Sequence, residues 1–166
     1  AVAHELGVSG EQIRKALAGF GGVKRRFTKA GTWNGALIFD DYGHHPTEVR
    51  AVLQAFREKY PQQRLVVFFQ PHRYSRTQHC WHDFTTAFME ADEVLLTDIY
   101  PAGEAPIPGV TSEKLAQEMK HEHAHYFVRD EKATQKILGM LKEGDVFVTL
   151  GAGDGWKLGL DVLNHL

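Results

Sequence analysis

Leu65-Val66-Val67-Phe68-Phe69 runs straight into Gln70-Pro71-His72-Arg73-Tyr74-Ser75-Arg76, and that switch from unbroken apolar to polar sequence decides the fold. A strand with one wet face alternates apolar and polar residues, whereas five apolar residues in a row predict a strand covered on both faces, as in a parallel sheet. Three more short runs read the same way, at 93–97, 126–128 and Val146–Leu150. Helices are predicted between them over Pro46–Lys59, 76–90, 112–121 and 131–142, with a last helix over 156–166. Further back, 24–29 and 36–40 read as two strands around Asn34-Gly35, a pair that tolerates the positive φ a tight hairpin needs. The expected fold is α/β: a doubly wound, mostly parallel, six-stranded Rossmann-like sheet with one antiparallel strand from an N-terminal hairpin.

Before the hairpin, Ser9 followed by Gln12 is a capping-box pattern that predicts a helix over Gly10–Ala18, ended by Gly19, Gly21 and Gly22. Ala1 to Gly7 reads as the end of a helix already under way, so the chain is expected to be a piece of a longer protein. Residues 1–22 then form the tail of a preceding domain and a linker, and 23–166 form one domain with its own core. Composition narrows the function. A net charge of -2 with no basic run argues against a nucleic-acid partner. No apolar stretch approaches the roughly 20 residues that span a bilayer, so membrane insertion is not expected. Cys80 is the single cysteine, which leaves no disulfide framework and suits a reducing cytoplasm.

Ligands of open parallel sheets bind beyond the carboxyl ends of the strands. Four loops meet there: Asp40-Asp41-Tyr42-Gly43-His44-His45-Pro46, then Gln70 to Arg76, then Asp98-Ile99-Tyr100-Pro101-Ala102-Gly103, and Gly151-Ala152-Gly153-Asp154. All four are rich in groups that bind charge, while the turns at the opposite edge (60–63 and 143–144) are plain. In the first loop a strand-end aspartate can accept from hydroxyls, Tyr42 or a histidine can stack on a base or donate to phosphate, and Pro46 suits a helix start. In the second, Arg73 and Arg76 flank a helix start and suit a carboxylate or phosphate, with the helix N-terminus adding to the pull. The third reads as a rigid wall. The fourth lets a backbone approach a ligand closely, but it closes the chain instead of opening a first βαβ unit, so a nicotinamide-dinucleotide fingerprint is not expected. His79 with His82, and His121, His123 and His125, do not supply a convergent zinc set, and are read as solvated or capping groups; no metal ligands are assigned.

Three long stretches carry a resemblance: Asp40 through Glu48, Phe69 through Thr77, and Asp98 through Gly109 with its Pro106-Ile107-Pro108. In order and spacing they resemble the C-terminal domain of the Mur ligase family, and within it the UDP-N-acetylmuramate–L-alanine ligases. The resemblance implies a three-domain, ATP- and Mg2+-dependent enzyme of peptidoglycan synthesis, active in the bacterial cytoplasm. In such an enzyme the muramyl carboxylate is phosphorylated and the amine of L-alanine attacks the acyl phosphate. It implies catalytic and nucleotide roles for Arg26 and Asp41, places Tyr42 and His44 by the nucleotide, and places His45, His72, Arg73 and Arg76 around the amino acid. Residues 1–22 become the tail of the central ATPase domain. The Gly-Lys-Thr phosphate loop and most magnesium ligands of the family belong to that central domain, so this stretch alone is expected to be inactive. One departure is Gly155-Trp156, where the family usually has an aliphatic residue. The alternative is a non-catalytic module that binds an amino acid or a nucleotide.

Overall fold

In a computed structural model the described residues are 2–19 and 23–165. Helices α1 (Val2–Glu5) and α2 (Gly10–Ala18) come first. Ser9 caps α2 through the expected box, its Oγ accepting from Gln12 N–H at 3.2 Å. Gly19 is the C-cap; the expected stops at Gly21 and Gly22 lie outside the described residues. Neither helix buries a residue.

Six strands form one sheet: β1 (Thr28–Trp33), β2 (Ala36–Asp41), β3 (Leu65–Phe69), β4 (Glu93–Leu96), β5 (Ala124–Tyr126) and β6 (Val146–Leu150). Their order is β1-β2-β6-β3-β4-β5. Only the β1–β2 pair is antiparallel; the others run parallel. The hairpin turn is Asn34-Gly35, with φ of 44° and 80°. The expected fold is therefore the observed one.

Helices cover both faces because the strands present two apolar sides. Leu65, Val67 and Phe69 of β3 join one cluster with Val49, Leu53 and Phe56 of α3 (Pro46–Lys59), Phe84 of α5 (Trp81–Phe84) and Leu115 of α6 (Ser112–Glu118). Val66 and Phe68 join the other with Ile137 of α7 (Ala133–Met140) and with Leu158 and Val162 of α8 (Trp156–Leu163). All five residues of β3 are buried. Alternate residues of a strand face opposite ways, so both faces must be apolar.

Several boundaries differ from the sequence expectation: β1 runs over Thr28–Trp33, and α6, α7 and α8 are shorter than expected. Residues 24–27 are a turn, not strand, since Arg25 and Phe27 have φ of 59° and 48°. Tyr42 N–H donates to Arg25 O and Phe27 N–H to the Asp41 carboxylate, which folds this segment against the end of β2. The single helix expected over 76–90 is broken into α4 (Tyr74–His79), α5 and turns. There the hydroxyl of Thr85 donates to His82 O, and Lys120 N–H draws Thr85 O towards α6; such local hydroxyl bonds compete with the helical ladder. β5 sits two residues earlier than expected, fixed by pairing of Val94 with Ala124 and Leu96 with Tyr126.

Candidate functional site

Parallel register lines up the strand ends. Asp41 pairs with Leu150, Leu150 with Phe69, and Phe69 with Leu96, so the four polar loops leave the sheet at one level. They are then tied together. Arg73 N–H donates to Tyr100 O and Tyr100 N–H to Pro71 O, each at 2.8 Å, which makes a small bridge between the second and third loops.

Asp41 is 2% exposed. Its oxygens accept from Phe27 N–H at 2.6 Å and Gly43 N–H at 2.7 Å. Burial pushes its carboxyl above the usual range, against the pull of those two N–H groups and of Arg26. Asp41 thus anchors the turn that carries Arg26. The guanidinium of Arg26 lies 5.6 Å from the centre of the Tyr42 ring and 3.8 Å from Glu48. Arg25 lies over the other rings of this corner, 5.2 Å from Tyr42 and 5.9 Å from Trp156, while bonding to Asp40 at 2.8 Å and to Gly151 O at 2.6 Å. Two arginines and two aromatic rings make a half-exposed corner suited to a base and anionic phosphates.

The histidines continue the strip. His44 packs edge-on to Tyr42 at 5.4 Å and faces His72 at 5.6 Å; His72 stacks on Tyr100 at 5.6 Å. Arg76 donates to His72 Nδ1 at 3.1 Å. Burial, and then the charges of His44, Arg76 and Arg73, hold His72 below the usual histidine range. His45 caps α3, its Nδ1 accepting from Thr47 N–H. Beyond it an open cavity of about 520 Å³ is lined by His45, Arg73, Ser75, Arg76, His79 and Cys80. Arg73 leans on Glu104 at 3.7 Å.

The structure therefore brings all eight expected residues into one strip: Arg26, Asp41, Tyr42 and His44 at one end, His45, His72, Arg73 and Arg76 at the other. It corrects two details. The helix after Arg73 has six residues, and the Ser75 N–H at the helix start that was to add to the pull on an anion donates instead to Glu104 at 2.9 Å, an acceptor within the protein itself. The fourth loop approaches protein: a Cβ on Gly151 would meet Gln70 O at 2.7 Å, and one on Gly153 would collide with the Gln70 and Tyr100 side chains. Asp154 holds Arg129 at 2.7 Å and accepts from Gln70 at 3.1 Å. Sequence reading missed Arg25, Glu104 and Gln70 as supports, because each acts through a partner that folding brings near; Glu48 was missed as well, although its bond to the N-cap N–H of His45 follows the capping-box spacing and was open to reading. It also missed an apolar cavity of about 300 Å³ under Trp156, between the hairpin and α8. His121 is a capping histidine as expected, its Nε2 on Ala91 O and its Nδ1 accepting from His123 N–H. Among the described residues no group of three or more His, Cys, Asp or Glu could hold a metal ion, and no helix is long and apolar enough to cross a membrane.

Residues 25–153 match the model of the Mur ligase glutamate ligase domain. This chain belongs to the Mur ligase family. The UDP-N-acetylmuramate–L-alanine ligase of Bdellovibrio bacteriovorus is 85% identical over 152 residues, which are 92% of this chain and 34% of that protein. The ligase of the same name from Trichlorobacter lovleyi is 48% identical over 169 residues, covering 100% of this chain and 37% of its own. Among solved structures, UDP-N-acetylmuramate–alanine ligase from Thermotoga maritima superposes with a TM-score of 0.71 at 26% identity, over 98% of this chain and 34% of that one. The chain spans about a third of the length of these Mur ligases.

Proposed function

We propose that this chain is the C-terminal, amino-acid- and nucleotide-binding part of a UDP-N-acetylmuramate–L-alanine ligase, an ATP-dependent, amide-forming enzyme of cytoplasmic peptidoglycan synthesis. The observation that carries the reading is the cavity beside Arg73 and Arg76, linked by the Arg76–His72 bond and the His72–His44 and His44–Tyr42 ring contacts to the Arg25–Arg26–Tyr42 corner. Arg73 and Arg76 clamp the carboxylate of L-alanine, with His45 and His72 at its sides. A cavity of this size holds a small amino acid and leaves room for the acyl group that the amine must reach. Arg26 and Tyr42 take the ATP side, where Asp41 holds Arg26 in place. Cationic donors are needed there, because phosphoryl transfer to a carboxylate concentrates negative charge. Any Mg2+ with the ATP takes most of its ligands from the central domain, and UDP-N-acetylmuramate binds mainly outside this chain. Residues 1–22 belong to the tail of the central domain and 23–166 to this one; the unburied α1 and α2 support that division.

The test is phosphate release by the full-length protein with ATP, Mg2+ and UDP-N-acetylmuramate across a panel of amino acids. Release that depends on L-alanine, with glycine and L-serine weaker, is the expected result. A well-folded protein with no amino-acid-dependent release would reduce the chain to a non-catalytic binding module.

A further inference from the structure

Amide formation needs a neutral amine, yet an α-amino acid arrives largely as its ammonium, so some group must accept a proton. Three histidines, His44, His45 and His72, lie along the strip, and their bonding partners fix which ring nitrogen is free. A guanidinium only donates, so Arg76 makes His72 Nδ1 an acceptor and leaves the ring proton on Nε2. In His45 the Nδ1 accepts from Thr47 N–H at 3.3 Å, which again puts the proton on Nε2, directed at Cys80 Sγ 3.6 Å away. His44 is the reverse. Its Nδ1 faces Tyr42 O at 3.0 Å, and a carbonyl only accepts, so Nδ1 carries the proton and Nε2 keeps its lone pair. Among the described residues Nε2 of His44 has no hydrogen-bond partner.

Glu48 completes the pattern. Its Oε2 lies 3.5 Å from His44 Nδ1 and is fixed by the N–H groups of His44 at 3.0 Å and His45 at 3.1 Å. A carboxylate there orients the imidazole and stabilises its cation. The ring sits where the two halves of the strip meet, between Tyr42 and His72.

We propose that His44 is the base that takes the proton from the incoming α-ammonium, with Glu48 as its positioning residue. The proposal rests on the ligase reading. The ammonium gives one proton to His44 Nε2, and the freed amine attacks the acyl carbon. The bond from that carbon to the phosphate oxygen breaks, and phosphate leaves with the electron pair and takes up the second nitrogen proton. His44 returns its proton to solvent. The charged and titratable groups around this ring are Glu48, which Arg26 approaches, Tyr42 packed edge-on, and His72, to which Arg76 bonds.

The experiment compares the full-length enzyme with His44→Gln and Glu48→Gln, using L-alanine and, separately, hydroxylamine as acceptor. Hydroxylamine is already neutral near pH 7 and traps an acyl phosphate as a hydroxamate without a base. His44→Gln is expected to slow amide formation with L-alanine by about 100-fold or more and to abolish the acid limb of its pH profile, while hydroxamate formation falls by less than about tenfold. Glu48→Gln keeps an oxygen for the two N–H groups but loses the charge. It is expected to slow amide formation with L-alanine less than His44→Gln does, since the ring keeps its lone pair but loses the carboxylate that orients it, and to leave hydroxamate formation within about tenfold. Amide and hydroxamate lost together, or an unchanged acid limb in His44→Gln, would overturn the proposal and leave His44 to nucleotide binding alone. A parent without amino-acid-dependent phosphate release sinks the ligase reading and this proposal with it; an active parent indifferent to His44→Gln sinks only the proposal.

Discussion

Arg73 adopts φ 71°, ψ 137°, a conformation that costs a residue with a Cβ of order 1–3 kcal/mol. It is held by its own N–H on Tyr100 O, by the N–H and hydroxyl of Thr77 on its carbonyl, and by a 3.7 Å ion pair between its guanidinium and Glu104. A side chain fixed at its root and still half exposed at its tip is well placed to meet a carboxylate. Arg73→Ala should therefore raise the L-alanine concentration needed for half-maximal phosphate release about 10–100-fold, from the 1.5–3 kcal/mol of a charged hydrogen bond; no change would remove Arg73 from the amino-acid site. Asp41 works through backbone. Removing its carboxylate frees Phe27 N–H and the turn bearing Arg26, so Asp41→Ala should weaken ATP binding more than alanine binding. Equal loss of both, in titrations of the full-length protein, would make Asp41 a general scaffold. At this scale the sequence grouped the eight candidate side chains that the structure brings into one strip, because they cluster within loops. Their long-range supports were not legible: Arg25 reaches Gly151 across 126 positions and Ser75 reaches Glu104 across 29, and no spacing rule links such pairs.

Elements were legible wherever burial alone shapes them. Leu65–Phe69, Val146–Leu150 and Pro46–Lys59 stand where the apolar pattern puts them, since a strand buried on both faces or a helix with one apolar stripe leaves the pattern little choice. The reading failed where a tertiary bond overrides local preference, at the turn before β1 and in the broken helix after Arg76. The Gly151–Gly155 loop shows the same limit. Its glycines suggested a ligand, yet the group pressed against Gly151 is the backbone carbonyl of Gln70. Gly151 has φ 140°, so Gly151→Ala adds a strained backbone to a clash that no side-chain rotation relieves. A loss of about 1–3 kcal/mol in denaturant unfolding is expected, with weaker nucleotide binding because Arg25 loses the Gly151 carbonyl as an anchor. Unchanged stability would mean that the loop can move away from β3 at little cost.

For the whole molecule the question is where one cooperative unit begins. Among the described residues the buried core lies between Ala36 and Val162, in two clusters that share the sheet. α1 and α2 contribute none, and Val2, Leu6 and Leu17 remain largely exposed. Burial of apolar surface is the main stabilising term in folding, so helices that bury nothing against the sheet add little to its stability. The turn at 24–27 is different, because Phe27 stacks on Phe56 at 4.0 Å and its N–H satisfies the buried Asp41. A chain beginning at Val23 should thus melt cooperatively within about 3 °C of the 166-residue chain, where 1 kcal/mol corresponds to roughly 2–4 °C for a domain of this size. A chain beginning at Thr28 should melt well below both, because it leaves the Asp41 carboxylate buried without its Phe27 partner and opens the aromatic cluster. If cutting at Val23 costs as much as cutting at Thr28, then α1 and α2 dock on the sheet in solution, and the boundary at residue 22 is misplaced.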